Sequence, residues 1–148
     1  MISVVISTHN DERTLGDVMG ALVAAAVDAL VREVIVVDAG SSDQTLEIAD
    51  DAGARIIKSA GPEGIAQGCA LAKGDWLLIL DAKTTPPLRW ENAVLDHVRS
   101  HSGEAGWWTA KPGRWPFGAK GPKTVLIPRS LYAAGSGAPV GRRIRFAR

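Results

Sequence analysis

Three short stretches bring polar side chains directly out of apolar runs. "ISVVISTHNDE" (residues 2–12) ends a β-branched stretch in Thr8, His9, Asn10 and Glu12. "VIVVDAGSSD" (residues 34–43) ends in Asp38, followed by Gly40, Ser41, Ser42 and Asp43. "LLILDAKTT" (residues 77–85) ends in Asp81, Ala82 and Lys83. Carboxylates at the mouths of buried strands suit the binding of ligand hydroxyl and N–H groups. With phosphate and water they also suit a hard divalent cation. Taken singly, each acid reads as a helix cap or a solvated strand end. Three such ends at one edge of a sheet are more informative than any one of them.

The elements that would position these residues follow from periodicity. Residues 2–7 form a continuous run that fits a strand covered on both faces. A helix is expected from near Glu12, with Leu15, Val18, Met19, Leu22 and Ala26 on its apolar face. "EVIVVD" (residues 33–38) is a second buried strand. Ser42 or Asp43 is placed to cap the next helix, which carries Leu46, Ile48 and Ala49 and stops at Gly53. "ARIIKS" is a short third strand. "GPEGIAQGCALAKG" is a loop and short helix, and "DWLLILD" is a fourth strand. "PPLRWENAVLDHVRSH" predicts a helix with its prolines at the start and Trp90, Val94, Leu95 and Val98 facing inward. His97 and His101, at i and i+4, read as an exposed helix face. Strand and helix thus alternate through residues 1–101, which predicts an α/β fold with a mainly parallel sheet. Beyond His101 the chain turns rich in Gly, Pro and Trp. "GWWTA" reads as a strand, "TVLIPRSLYAAG" as a strand and short helix, and "GAPVGRRIRFAR" as a basic tail.

Composition sets limits. The chain has 148 residues, 46% hydrophobic and 22% charged, enough for one domain with a core of its own. A formal charge of +1 argues against broad binding of nucleic acid. Cys69 is the one cysteine, so no intrachain disulfide forms and a reducing compartment is expected. The apolar start lacks a basic leader and reads as a strand rather than a signal peptide. No stretch is long and apolar enough for a transmembrane helix. A cytoplasmic location is expected, with peripheral membrane contact through the tail arginines as an option. The first loop, "STHNDERT", holds no glycine, which excludes the glycine-rich turn of a dinucleotide fold; no Walker loop is present either. A nucleotide here would have to be held by its base, its ribose and metal-bound phosphates.

"ISVVISTHNDERTL", "VREVIVVDAGSSDQTLEIADDAGARII" and "GDWLLILDA" together resemble the nucleotide-binding half of family 2 glycosyltransferases. The nearest flavour is the compact bacterial members linked to cell-envelope polysaccharides. The resemblance implies a GT-A fold, a three-layer α/β/α sandwich with a mainly parallel sheet. Residues 1–101 would be its nucleotide-binding half, and residues 102–148 a shortened acceptor-side half with a basic tail. It implies transfer of a sugar from a nucleoside diphosphate donor, expected to be of UDP type, to a hydroxyl acceptor. Thr8, Asn10 and Glu12 would line the nucleotide pocket, and Asp38 would contact uracil or ribose. Asp43 would be a structural cap. Gly64 and Gln67 fall in the segment near the diphosphate and sugar. Asp81 opens the position of the metal-binding Asp-x-Asp motif, which in the family serves Mn²⁺ or Mg²⁺.

The third place of that motif is Lys83. An ammonium cannot ligate a cation, so Asp81 alone would be a poor metal site. Three readings stay open: Lys83 replaces the metal and binds phosphate, the chain has lost metal and catalysis but still binds a nucleotide or a protein, or Lys83 pairs with Asp81 or lies in solvent. A general base within reach of the acceptor hydroxyl is also expected. The acids after Asp81 are Glu91, Asp96 and Glu104, and none stands out. The alternatives to an active transferase are therefore a noncatalytic GT-A module and, more weakly, a sugar nucleotidyltransferase. Trp107, Trp108 and Trp115 read as core packing or a dimer contact ahead of sugar stacking. Arg142, Arg143, Arg145 and Arg148 read as a solvated tail.

Overall fold

Strand β1 (Ile2–Thr8) lies inside the sheet, with every residue but Ser7 buried. Such a strand has no polar face, which is why its sequence does not alternate. The computed structural model describes residues 1–109, 123–133 and 142–146. Helix α1 (Glu12–Val27) follows β1, then β2 (Val31–Asp38), α2 (Thr45–Asp51), β3 (Arg55–Lys58), α3 (Gly61–Leu71) and β4 (Trp76–Asp81). After them come α4 (Trp90–Ser100), β5 (Gly106–Thr109), β6 (Lys123–Pro128), α5 (Arg129–Ala133) and β7 (Arg142–Arg143).

The described strands form one seven-stranded sheet in the order β3-β2-β1-β4-β6-β5-β7. The first four strands in this order are mutually parallel, and β6 runs antiparallel to both β4 and β5. One apolar cluster joins Val4, Ile6, Val36, Leu78 and Leu80 to Leu15, Val18 and Leu22 of α1, Ala49 of α2 and Trp90 and Val94 of α4. The other joins Val5, Ile35, Val37 and Leu77 to Cys69 of α3, with Leu131 and Tyr132 of α5 packed on it. Alternate strand residues thus serve opposite faces. The result is the three-layer α/β/α architecture expected for a GT-A fold.

Local signals end several elements as expected. Gly53, at φ +74°, closes α2 with Gly53 N–H on the Asp50 carbonyl and Ala54 N–H on the Ala49 carbonyl. That is a Schellman arrangement. Asp43 accepts from the Thr45 N–H at 3.0 Å and from the Thr45 hydroxyl, so it secures the start of α2.

Other expectations need correction. Ala25, not Ala26, completes the buried stripe of α1. β2 begins at Val31 rather than Glu33. The prolines at 86 and 87 precede α4, which starts at Trp90 after Arg89 takes a left-handed conformation at φ +61°. His97 is buried rather than exposed. Its ring meets Trp76 edge-on at 6.0 Å and stacks on His101 at 5.1 Å, and its Nε2 bonds the Glu104 carbonyl at 2.9 Å. The tail is not a solvated extension over its described part. Arg142 and Arg143 pair with β5, Ile144 is buried, and Phe146 packs edge-on against Trp108 at 5.3 Å. Trp108 is core, as its packing reading holds, while Trp115 and Arg148 lie outside the described residues. Among the described residues no helix is long and apolar enough to cross a membrane.

Candidate nucleotide site at the carboxyl edge of the sheet

Strand register alone brings the three polar stretches together. Thr8 is level with Asp38 across β1 and β2, and Ser7 is level with Asp81 across β1 and β4. The strand order also turns at β1: β2 and β3 extend to one side and β4 to the other. In open α/β sheets the crevice beyond the strand ends at such a reversal is the usual ligand position.

Asp38 is buried at the end of β2 and its carboxylate is fully engaged. Oδ1 accepts from the Thr8 hydroxyl at 2.7 Å and from the Ser41 hydroxyl, while Oδ2 accepts from Gly40 N–H at 3.0 Å and Ser41 N–H at 2.8 Å. Burial pushes its pKa up, but these four bonds outweigh burial and hold it below the ordinary aspartate value. Gly40, at φ +99°, gives the turn the backbone conformation that lets successive N–H groups point at one carboxylate.

The loop leaving β1 is fastened to the loop leaving β2. Asn10 N–H donates to Ser41 Oγ at 2.9 Å, and Asn10 Oδ1 accepts from Ser42 N–H at 2.8 Å. Glu12 Oε2 accepts from Gln44 N–H at 3.0 Å, and Asp43 Oδ2 accepts from Glu12 N–H at 3.3 Å. Asp11 N–H donates to Thr45 Oγ1 at 2.8 Å. Asn10 is held at φ +52°, a conformation asparagine tolerates better than most residues. Thr8, Asn10, Glu12 and Asp38 are therefore one connected group.

The loop leaving β4 joins this group through a residue that sequence reasoning passed over. Asp81 Oδ1 accepts from Lys83 N–H at 2.8 Å, and Oδ2 from the Ser7 hydroxyl at 3.3 Å. The Lys83 ammonium reaches Asp11 Oδ1 at 2.7 Å. Asp11 is buried, and its other oxygen accepts from His9 N–H at 2.8 Å. The bond to Asp11 raises the Lys83 pKa above the ordinary lysine value, with burial opposing and the charge of Asp81 adding to the rise. Lys83 thus pairs chiefly with Asp11 rather than with Asp81, while about half of its side chain stays in solvent. The signal was the first acid of "NDE", Asp11, which a reading confined to Asn10 and Glu12 stepped over.

Gln67 stands apart. It is exposed on α3, and no hydrogen bond of the described edge reaches it. Gly64 and Gly68 on the same helix are packing residues: a Cβ on Gly64 would lie 2.7 Å from Val37 Cγ1, and one on Gly68 would lie 2.9 Å from Val5 Cγ1. Of the late acids, Glu104 is paired with Arg142 at 3.4 Å. It precedes Gly106, which is level through Leu126 with the middle of β4, so Glu104 lies toward the opposite edge of the sheet. Asp96 is exposed and Glu91 half-buried on α4. A separate cavity of about 500 Å³ lies between α3 and α5, lined by Ala66, Cys69, Arg129 and Tyr132. There Cys69 is buried, and burial followed by the neighbouring thiol pushes the Tyr132 hydroxyl up to about 12.

Comparison with known proteins agrees with this architecture. Over 97 residues the chain is 33% identical to the glucosyl-3-phosphoglycerate synthase of Mycolicibacterium paratuberculosis, covering 58% of this chain and 29% of that protein. A 62-residue stretch is 42% identical to a TPR repeat-containing protein of Synechococcus elongatus, covering 39% of this chain and 15% of the other. The chain therefore spans less than a third of either curated relative. The crystal structure of glucosyl-3-phosphoglycerate synthase from Mycobacterium tuberculosis with Mn²⁺, UDP and glucosyl-3-phosphoglycerate superposes with a TM-score of 0.59 at 26% identity, covering 72% of this chain and 42% of that one. Residues 1–349 of S. aureus TarS superpose with a TM-score of 0.70 over 90% of this chain and 48% of that one; at 18% identity this is a likeness of fold. Residues 3–132, from β1 through most of α5, match the family described as Glycosyl transferase family 2. With the fold, the register of its strand ends and this match in accord, the chain belongs to glycosyl transferase family 2.

Proposed function

We propose that this chain binds a nucleoside diphosphate sugar along the carboxyl edge of β1, β2 and β4 and serves glycosyl transfer to a hydroxyl acceptor. One observation carries the reading: in a family 2 chain, the loops leaving these three strands are tied into a single polar group centred on Asp38, Asp11 and Lys83. Thr8, Asn10, Glu12 and Asp38 take the nucleoside end. Because Asp38 already accepts four hydrogen bonds, its contact with base or ribose exchanges one of them, most simply that of the Ser41 hydroxyl. Asp81 and Lys83 face the diphosphate, and Gln67 stands toward the sugar. Residues 102–148 serve the acceptor side. UDP is the first donor nucleotide to test, since the mycobacterial synthase was crystallised with it. A role in cell-envelope polysaccharide synthesis belongs to the same proposal.

The Mn²⁺ named for that synthase does not fit the residues gathered here. Both oxygens of Asp81 accept from the chain itself, and Asp11 is neutralised by an ammonium. Among the described residues no group of three or more His, Cys, Asp or Glu side chains is arranged to hold a metal ion.

Transfer forms a bond from the acceptor oxygen to the anomeric carbon and breaks the bond to the diphosphate, and the hydroxyl proton goes to a base. Glu104 is ion-paired toward the far edge, and Glu91 and Asp96 lie on α4. That favours a second reading, a module that binds the nucleotide without completing transfer. Calorimetric titration with UDP, GDP and dTDP tests the first claim. Saturable binding of one of them supports it, and heat of dilution alone for all three removes it. Release of UDP from UDP-glucose with an added hydroxyl acceptor then separates the transferase from the noncatalytic module.

A further inference from the structure

The meeting of Lys83, Asp11 and Asp81 has a consequence of its own. We infer that Lys83 is a built-in cation: its ammonium stands where a divalent ion would have to sit at this edge, and a phosphate-bearing ligand binds here without one.

The geometry is specific. An ion bridging the loops of β1 and β4 would draw on Asp11 and Asp81, the two acids that Lys83 contacts through its ammonium and its N–H. Asp11 Oδ1 is taken by the ammonium at 2.7 Å and Oδ2 by His9 N–H at 2.8 Å. Asp81 is held by Lys83 N–H and the Ser7 hydroxyl. A hard cation needs several oxygen ligands at close range. To obtain them it would displace the ammonium from a buried carboxylate and then remain beside that positive charge. The side chain of Asp11 is 3% exposed and that of Lys83 is 46% exposed. The buried acid therefore anchors the lysine from below. An ammonium has three donors, and the bond to Asp11 engages one, so the others are available on the exposed side. Lysine binds phosphate as a point charge, and this one is already oriented.

The test has two arms, and only the second rests on the nucleotide reading above. In the first, Mn²⁺ binding is followed by loss of the free-ion electron paramagnetic resonance signal, for the wild-type chain, Lys83→Ala and Lys83→Asp. The expected result is no bound ion in the wild type and a bound ion in at least one variant, where the ammonium no longer occupies Asp11 or opposes the ion. Mn²⁺ bound by the wild type overturns the inference. So does a complete absence of binding in all three, because the ammonium would then not be what keeps the ion out. Circular dichroism of both variants confirms that they are folded. In the second arm, UDP is titrated in EDTA and in Mn²⁺. Equal affinity in the two, a loss of about tenfold or more in EDTA for Lys83→Ala, and retention in Lys83→Arg support the inference. UDP binding that requires Mn²⁺ overturns it. If UDP binds under neither condition, UDP is not the donor nucleotide and the Mn²⁺ arm alone decides the role of Lys83.

Discussion

The Lys83 ammonium lies 2.7 Å from Asp11 Oδ1 and ties the loop leaving β4 to the loop leaving β1. The two partners are unequal, since the acid is buried and the lysine is half in solvent. Replacing Asp11 by Ala strands the His9 N–H as well as the ammonium, whereas replacing Lys83 lets water reach the acid. Asp11→Ala is expected to cost about 2–3 kcal/mol and Lys83→Ala about 1 kcal/mol. Urea denaturation of both variants measures the difference. Equal losses would mean that the ion pair, and not the backbone bond to Asp11, holds the loop.

Asp38 predicts an acid limb in the stability. Its folded pKa lies below the unfolded value near 3.8, so its contribution is full above that value. The contribution is lost as pH falls through the folded pKa, because the unfolded chain then takes up the proton first. Asp38→Asn places an amide among four donors and removes the titration. Its expected signature is about 2 kcal/mol lower stability at neutral pH and a flatter decline below about pH 4. Denaturant midpoints from pH 6 downward test this. A decline as steep as that of the wild type would remove Asp38 as its source.

The glycines of α3 and α1 should respond in opposite directions. A Cβ at Gly64 would meet the Ser59 carbonyl at 2.8 Å as well as Val37, while one at Gly16 would meet nothing within 4 Å. Gly64→Ala is expected to destabilise by about 1–3 kcal/mol through forced separation of helix and sheet. Gly16→Ala lies inside α1 and is expected to stabilise by about 0.5–1 kcal/mol. Thermal melts of the pair give the comparison, and a loss of stability in Gly16→Ala would show a neighbour this structure lacks.

Ile144 gives the end of the described chain a structural duty. It is buried in the same cluster as Trp108, against which Phe146 packs edge-on. Ile144→Ala is expected to cost about 2–4 kcal/mol. The measurement is chemical denaturation with tryptophan emission as one probe. A variant indistinguishable from wild type would return these residues to the role of a solvated tail.

Much of this was legible along the chain because its cause is local. The covered strands announce themselves as β-branched runs, and Gly53 ends α2 because the C′ position needs a positive φ. The convergence of Thr8, Asp38 and Asp81 was also readable, since parallel strands that alternate with helices put their carboxyl ends on one edge. His97 was misread because helical periodicity does not tell which side of α4 the strand carrying Trp76 and the Glu104 carbonyl will cover. The tail was misread because four arginines dominate its composition, while a single Ile144 and the pairing with β5 decide where it goes.

The sequence by itself determined the alternation of strand and helix, the family and the edge where the polar strand ends gather. All of these rest on short-range pattern, and a strand end is a strand end whatever faces it. Only the tertiary structure decided who answers Lys83. Asp11 and Asp81 are both acids that a lysine at this position could meet. The choice depends on the register of β1 against β4 and on the path of a loop stitched to Ser41, Ser42 and Thr45. Those constraints come from three separate parts of the chain, and they act together only once the sheet has formed.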